Sequence, residues 1–193
     1  MRKGMKIASL VMALMMGVSA AAAEVSGEIT VVSREEGSGT RGAFIELTGV
    51  EEKNADGVKV DNTTEEAVVT NSTNVMMTTV AGDESAIGYI SLGSLNDTVK
   101  ALQIDGVDAT VENIKSGIYT LARPFNIATK EGLSEVAQDF VNYILSAEGQ
   151  QVIADNKYIP LDDAPAYEGK RVSGKIVVAG SSSVTPVMQK LAE

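Results

Sequence analysis

No cysteine and no histidine occur among the 193 residues of the chain. Without cysteine there are no disulfides, and no thiol stands at a cleavage site to carry a lipid anchor. Without histidine, Ser-His-Asp and Cys-His nucleophile arrangements are excluded, together with the usual nitrogen and sulfur ligands of zinc. What remains for catalysis is a Ser-Lys pair or paired carboxylates, and no feature near the candidate nucleophile Ser38 supplies a base. Long apolar runs are also missing: past residue 23 no stretch approaches the roughly eighteen apolar residues that a membrane-spanning helix needs. Basic residues are scarce. Lys and Arg number 16 against 26 Asp and Glu, for a formal charge of −10, which argues against nucleic acid as a partner.

Residues 1–23 place Arg2, Lys3 and Lys6 ahead of an apolar run from Ile7 to Val18, followed by small residues from Ala20 to Ala23. This is the pattern of a signal peptide cleaved near Ala23, so an extracytoplasmic protein is expected. Its removal takes away three basic residues and no acidic ones, shifting the formal charge from −10 to about −13.

The richest motif is Arg34-Glu-Glu-Gly-Ser-Gly-Thr-Arg41, which follows the apolar run from Ile29 and precedes a helix-like stretch. A strand feeding a small-residue turn that opens a helix can hold an anion. Gly37 and Gly39 let consecutive N–H groups point at one spot, and those groups lack partners at a helix start. Ser38 and Thr40 add hydroxyls, and Arg34 adds a planar guanidinium suited to two oxygens of a tetrahedral oxyanion. An ordinary Gly-rich turn with a solvated arginine is the alternative. Near the other end, Gly174-Lys-Ile-Val-Val-Ala-Gly180 repeats the outline of Gly27-Glu-Ile-Thr-Val-Val-Ser33. Ser181, Ser182, Ser183, Val184, Thr185 and Pro186 then lead into a helical run from Val187, with Pro186 suited to the first helical turn. Two such turns facing each other would enclose an anion; simple N-capping is the alternative for the second.

Together these residues resemble the phosphate-binding solute receptors of bacterial ABC transporters, which have the type II periplasmic binding protein fold. Residues 27–44 look like that family's phosphate loop, and Ala86-Ile-Gly-Tyr-Ile90, Arg123-Pro-Phe-Asn126 and Phe140 to Gly149 look like later landmarks. The segment 174–193 is similar to the opening of ordinary members, yet it follows Tyr158-Ile-Pro160, which looks like a family C-terminus. The resemblance therefore implies a circularly permuted chain, or tandem units, joined through 161–173. It also implies a truncated product, because no counterpart is found for a segment that carries a further serine and aspartate. The implied fold is α/β, with one lobe largely present and the second partial: 24–120 as the ligand-binding lobe with the anion loop, 121–193 as the partial second lobe.

Carried over residue by residue, the resemblance implies that Arg34, Ser38, Gly39 and Thr40 bind inorganic phosphate from one lobe. From the other it implies Ser183, and Val184 through its backbone N–H. Glu36 falls where the family has an acidic residue that orients the arginine, and Arg41 reads as surface. A membrane ABC permease is the implied partner; no cofactor and no catalysis are implied. Two other readings stay open: a secreted hydrolase or transferase using the Gly-Ser-Gly loop, and a nonbinding truncated surface module. Phosphate and sulfate are not separated, since the acceptor for a phosphate proton is not among these residues.

Along the chain, Thr40 to Leu47 reads as a helix and Glu51 to Thr64 as a polar loop. Residues 64–80 are ambiguous, with a helix cap at Asn71-Ser72-Thr73 and core methionines Met76 and Met77. Ala86–Ser91 and Val99–Ile104 read as strands, Asp105-Gly106 as a turn, and Val111–Ser116 as a helix capped by Thr110. Arg123-Pro124-Phe125-Asn126 is expected to begin a strand crossing between lobes. Val136, Ala137, Phe140, Val141, Ile144 and Leu145 share one helical face, expected to be core. The strands at Ile29 and Ile176 are expected not to be neighbours.

Overall fold

A computed structural model describes residues 27–193, so the expected signal segment 1–23 lies outside the described residues. The segment Thr30–Arg34, which starts with the β-branched residues Thr30, Val31 and Val32, forms β1 and sits at the centre of a three-stranded parallel sheet. Val32, Ser33 and Arg34 pair with Val68, Val69 and Thr70 of β4 (Val68–Thr70), and Thr30 and Val31 pair with β5 (Ala86–Ile87). Ile29 and Ile176 are thus not sheet neighbours. Parallel neighbours need crossovers, and helices α1 (Gly39–Thr48) and α2 (Thr73–Ala81) lie in them. Both helices start at a serine. Ser38 accepts from the Arg41 amide and Ser72 from the Val75 amide, each at 3.3 Å, which satisfies one orphan donor per helix. The α1 helix stops at Gly49, whose φ of 74° admits glycine most readily.

Between α1 and β4 the chain departs from the loop expected over 51–64. Strands β2 (Glu51–Lys53) and β3 (Lys59–Asp61) form an antiparallel hairpin. Asn54 Oδ1 closes its turn by accepting from the amides of Asp56 and Val58, and Gly57 supplies the positive φ there. The polar composition hid a strand pair whose side chains face solvent. Met76 and Met77 of α2 are buried against the sheet as expected, with Met76 only 1 % exposed.

Beyond β5 the strand expectations fail. Only Ala86 and Ile87 of the 86–91 run join a ladder, paired with Thr30 and Val31 at the start of β1. Val99–Ile104 forms no strand; Ile104 makes one bridge to Val107 around the expected Asp105-Gly106 turn, where both φ values are positive. Helix α3 (Val111–Lys115) follows, capped by Thr110 as expected. Arg123–Asn126 also forms no strand and pairs with none of the described strands.

The second half is helical. Helices α4 (Glu135–Ile144), α5 (Ala147–Asp155) and α6 (Thr185–Leu191) enclose a core of Ile144, Tyr158, Val187 and Leu191, with Phe140, Tyr143, Val152 and Val184 packed on it. Gly149 makes the α4–α5 corner possible, since a Cβ there would lie 2.0 Å from the Tyr143 carbonyl oxygen. Leu145, expected on the core face of α4, is 43 % exposed because the helix ends one residue earlier. The expected strand at 174–180 is absent: no described strand pairs with it, and Val177 is 89 % exposed.

The joint 161–173 is fastened rather than loose. Asp139 of α4 accepts from the Tyr167 hydroxyl at 2.8 Å and from the Lys170 and Val172 amides at 3.0 Å each. Glu148 accepts from the Tyr167 amide, and the Pro165 carbonyl accepts from the Ala147 amide. Burial pushes the Asp139 carboxyl upward, but the Tyr167 hydroxyl and the joint's amides outweigh it and hold the group below the usual range.

Candidate functional site

Strand β1 ends by delivering Ser33 and Arg34, each 1 % exposed, to the carboxyl edge of the sheet. The chain leaves β1 for β4 on one flank and then crosses to β5 on the other. The crevice beyond β1 is therefore a topological switch point, where open parallel sheets hold ligands. Tyr89 buttresses it: its hydroxyl lies 2.9 Å from Ser33 Oγ and accepts from the Arg34 amide at 3.1 Å, while its ring stacks on Phe44 of α1 at 4.2 Å.

The Arg34 guanidinium is shared among three partners. Nε and Nη2 donate to the two carboxylate oxygens of Glu35 at 2.8 and 2.9 Å. Nη2 also donates to Ser182 Oγ at 3.0 Å, and Nη1 to Thr73 Oγ1 at 3.4 Å. These hydrogen bonds from Arg34 hold the Glu35 carboxyl below the usual carboxylate range, against partial burial, with a backbone amide helping.

The hydroxyl turn 181–183 closes over this edge. Ser183 is fully buried, with its Oγ hydrogen-bonded to Thr40 Oγ1. Its carbonyl accepts from the Tyr158 hydroxyl at 2.6 Å and from Ser91 Oγ at 3.4 Å. Ser182 Oγ lies 3.2 Å from Thr73 Oγ1 and accepts from the Thr73 amide at 3.4 Å. Gly39 and Thr40 open α1, and among the described residues their amides find no acceptor. A buried cation, free helix-start amides and converging hydroxyls suit an anion. The nearest carboxylate, Glu35, is tied to Arg34.

Residues 20–148 match the family described as PBP superfamily domain. The chain belongs to this superfamily. Similar to this PBP-superfamily chain is the "Phosphate-binding protein PstS 2" of Streptococcus agalactiae, 65% identical over 168 residues, which cover 86% of the chain and 57% of that relative. A crystal structure of the phosphate-binding protein of a phosphate ABC transporter from Streptococcus pneumoniae superposes with a TM-score of 0.68 at 51% identity. It is matched over 86% of the chain and 65% of its own length. A putative phosphate ABC transporter substrate-binding protein from Clostridium perfringens, solved with bound phosphate, gives a TM-score of 0.61 at 38% identity, over 69% of the chain and 52% of its own. The chain thus spans between half and two thirds of these relatives' lengths.

Of the sequence-derived site residues, the fold of this PBP-superfamily chain brings together Arg34, Ser38, Thr40 and Ser183, although the two loops are more than 140 positions apart. Ser38 caps α1 while its own O–H stays available as a donor. Gly39 presents its carbonyl to Arg123 Nη2 at 3.0 Å, so the 123–126 segment reaches the loop. The Val184 amide donates to the Ser181 carbonyl and is occupied within its own turn. Two expectations need correction. Glu36 is exposed, and the carboxylate that orients Arg34 is Glu35, whose position allows both of its oxygens to reach Nε and Nη2. Arg41 is not a free surface residue: Nη1 donates to the Arg34 carbonyl at 2.8 Å, and Nε and Nη2 grip Asp61 of the hairpin.

Sequence reasoning missed Glu35, Thr73, Ser182 and Tyr89 as members of the cluster. Thr73 could have been found, because Ser72 caps a helix directly after the strand next to β1, which puts two helix starts at one sheet edge.

Proposed function

We propose that this chain supplies the anion-gripping part of an extracytoplasmic solute-binding protein that captures inorganic phosphate and delivers it to the membrane permease of an ABC-type importer. The observation that carries this reading is the buried Arg34, its outer guanidinium edge turned toward hydroxyls from two distant loops. In it Arg34 contributes charge, Gly39 and Thr40 contribute amides, and Ser38, Thr40 and Ser183 contribute hydroxyls. The Val184 amide joins by leaving the Ser181 carbonyl. Glu35 fixes the guanidinium. The phosphate-binding names of the relatives support phosphate as the anion.

The chain's net charge of −10 repels anions at long range, so binding rests on short-range donors already aimed at the ligand. Binding without turnover is in keeping with the relatives' names as binding proteins and with the Glu35 carboxylate beside the donors being paired with Arg34. The leader-like segment 1–23 supports export, and no helix among the described residues is long and apolar enough to cross a membrane. Calorimetric titration of phosphate and sulfate into the full-length product tests the reading. Saturable phosphate binding is expected; no phosphate binding overturns it.

A further inference from the structure

Thr73, read from the sequence only as part of a helix cap, is placed at this crevice by the fold. It opens α2 directly after β4, the strand that pairs with Arg34's own end of β1, so it stands beside the guanidinium with only 4 % of its surface exposed. Glu35 saturates the Nε/Nη2 side of Arg34. The open side is therefore the one bounded by Nη1 and Nη2, and it faces Thr73. On that side a single oxygen, Ser182 Oγ, lies within reach of Arg34 Nη2 (3.0 Å), the Thr73 hydroxyl (3.2 Å) and the Thr73 amide (3.4 Å).

Three donors converging on one oxygen, one of them a fully buried cation, is the pattern a phosphoryl oxygen requires. A neutral serine hydroxyl uses it poorly, as the contacts from Thr73 are at the long end of hydrogen bonding. We propose that Thr73 is an anion-contacting residue: its amide and hydroxyl, with Nη2 of Arg34, form the seat for one oxyanion oxygen, while Nη1 donates to the Thr73 hydroxyl oxygen. Ser182 Oγ holds that seat until the anion takes it. This rests on the phosphate-binding reading above and adds to it a residue with a defined role. Ser182 then acts as an internal competitor, and part of the affinity is used to displace it.

The test is calorimetric titration of inorganic phosphate into the full-length protein and its Thr73→Val, Thr73→Ser, Ser182→Ala and Arg34→Ala variants. Thermal melts check that each is folded. Loss of one neutral donor should make Thr73→Val bind about five-fold more weakly, and Thr73→Ser, which keeps the hydroxyl and loses only a methyl, should stay within about two-fold of wild type. Removing the competitor should make Ser182→Ala bind on the order of three-fold more tightly. Wild-type affinity in Thr73→Val, or weaker binding by Ser182→Ala, overturns the assignment. Should Thr73→Val fail to fold, the direction of the Ser182→Ala change decides alone. The failures are distinguishable: if wild type binds no phosphate, the phosphate reading falls. If wild type binds, Arg34→Ala does not, and Thr73→Val matches wild type, only the role of Thr73 falls.

Discussion

Replacing Tyr158 with phenylalanine removes one oxygen that locates the hydroxyl turn. The ring is 7 % exposed and packs with Ile144, Val187 and Leu191, so phenylalanine keeps the core filled. What disappears is the O–H that donates to the Ser183 carbonyl at 2.6 Å, leaving that buried acceptor with Ser91 Oγ at 3.4 Å. An under-satisfied buried carbonyl costs about 1–2 kcal/mol. With a urea slope of roughly 1–3 kcal/mol/M, the unfolding midpoint should fall by about 0.5–1 M. Because that carbonyl holds Ser183 against Thr40, phosphate affinity should also fall, by about three- to ten-fold.

Burial pushes the Tyr158 hydroxyl above its ordinary value, opposed by the Ser94 and Ser91 hydroxyls. Its raised value favours the protonated form in the folded state. The contribution is therefore complete below the usual tyrosine range and is lost as pH rises through the raised value, so variant and wild type should converge only in strong alkali. Paired urea melts and phosphate titrations read both effects. An unchanged midpoint with unchanged affinity would refute the role given to Tyr158.

Glu35→Gln should weaken phosphate binding several-fold by freeing the guanidinium to rotate, while Glu36→Gln should not; titrations of the two variants side by side decide which carboxylate orients Arg34. Because the Glu35 value is lowered, its contribution to stability is present above the usual carboxylate range and fades as pH falls through the lowered value. The acid limb of a pH–stability curve should accordingly be flatter in Glu35→Gln. Asp139→Asn should release the 161–173 strap, seen as faster proteolytic cleavage within those residues at neutral pH; cleavage at the wild-type rate would contradict the fastening. Met76→Ala, which empties a site 1 % exposed, should cost about 2–4 kcal/mol in urea melts.

The parts of the fold legible in the sequence are those set by local chemistry. Ser72 and Thr110 announce helix starts by side-chain oxygens that need only their own backbone, and both cap as read; Ser38, read only as an anion-facing hydroxyl, caps α1 as well. Strand identity beyond β1 was less legible, because a strand depends on what lies beside it. Val99–Ile104 has scattered apolar residues and 174–180 a β-branched run, but neither has a described partner strand, whereas the polar Glu51–Asp61 stretch pairs with itself. At the site, the loop residues Arg34, Ser38 and Thr40 were readable from glycine spacing. Thr73 was readable only as part of a helix start, and Tyr89 not as a site residue, since both reach Arg34 through the parallel pairing of β4 and β5 with β1. The choice between Glu35 and Glu36 turned on which adjacent side chain points back along the guanidinium, and that follows from the turn's geometry rather than from residue type.

Arg34 stands at the centre of the site, and its removal is the most direct measurement. The guanidinium is the one fully buried charge among these donors, and losing a charged multi-dentate partner should cost on the order of 2–4 kcal/mol of binding, against about 1 for the Ser38 hydroxyl. Titrated with phosphate beside the full-length wild-type protein, a folded Arg34→Ala variant should therefore bind about 30- to 1000-fold more weakly. Binding by Arg34→Ala equal to wild type would place the anion elsewhere and contradict the phosphate site at this loop.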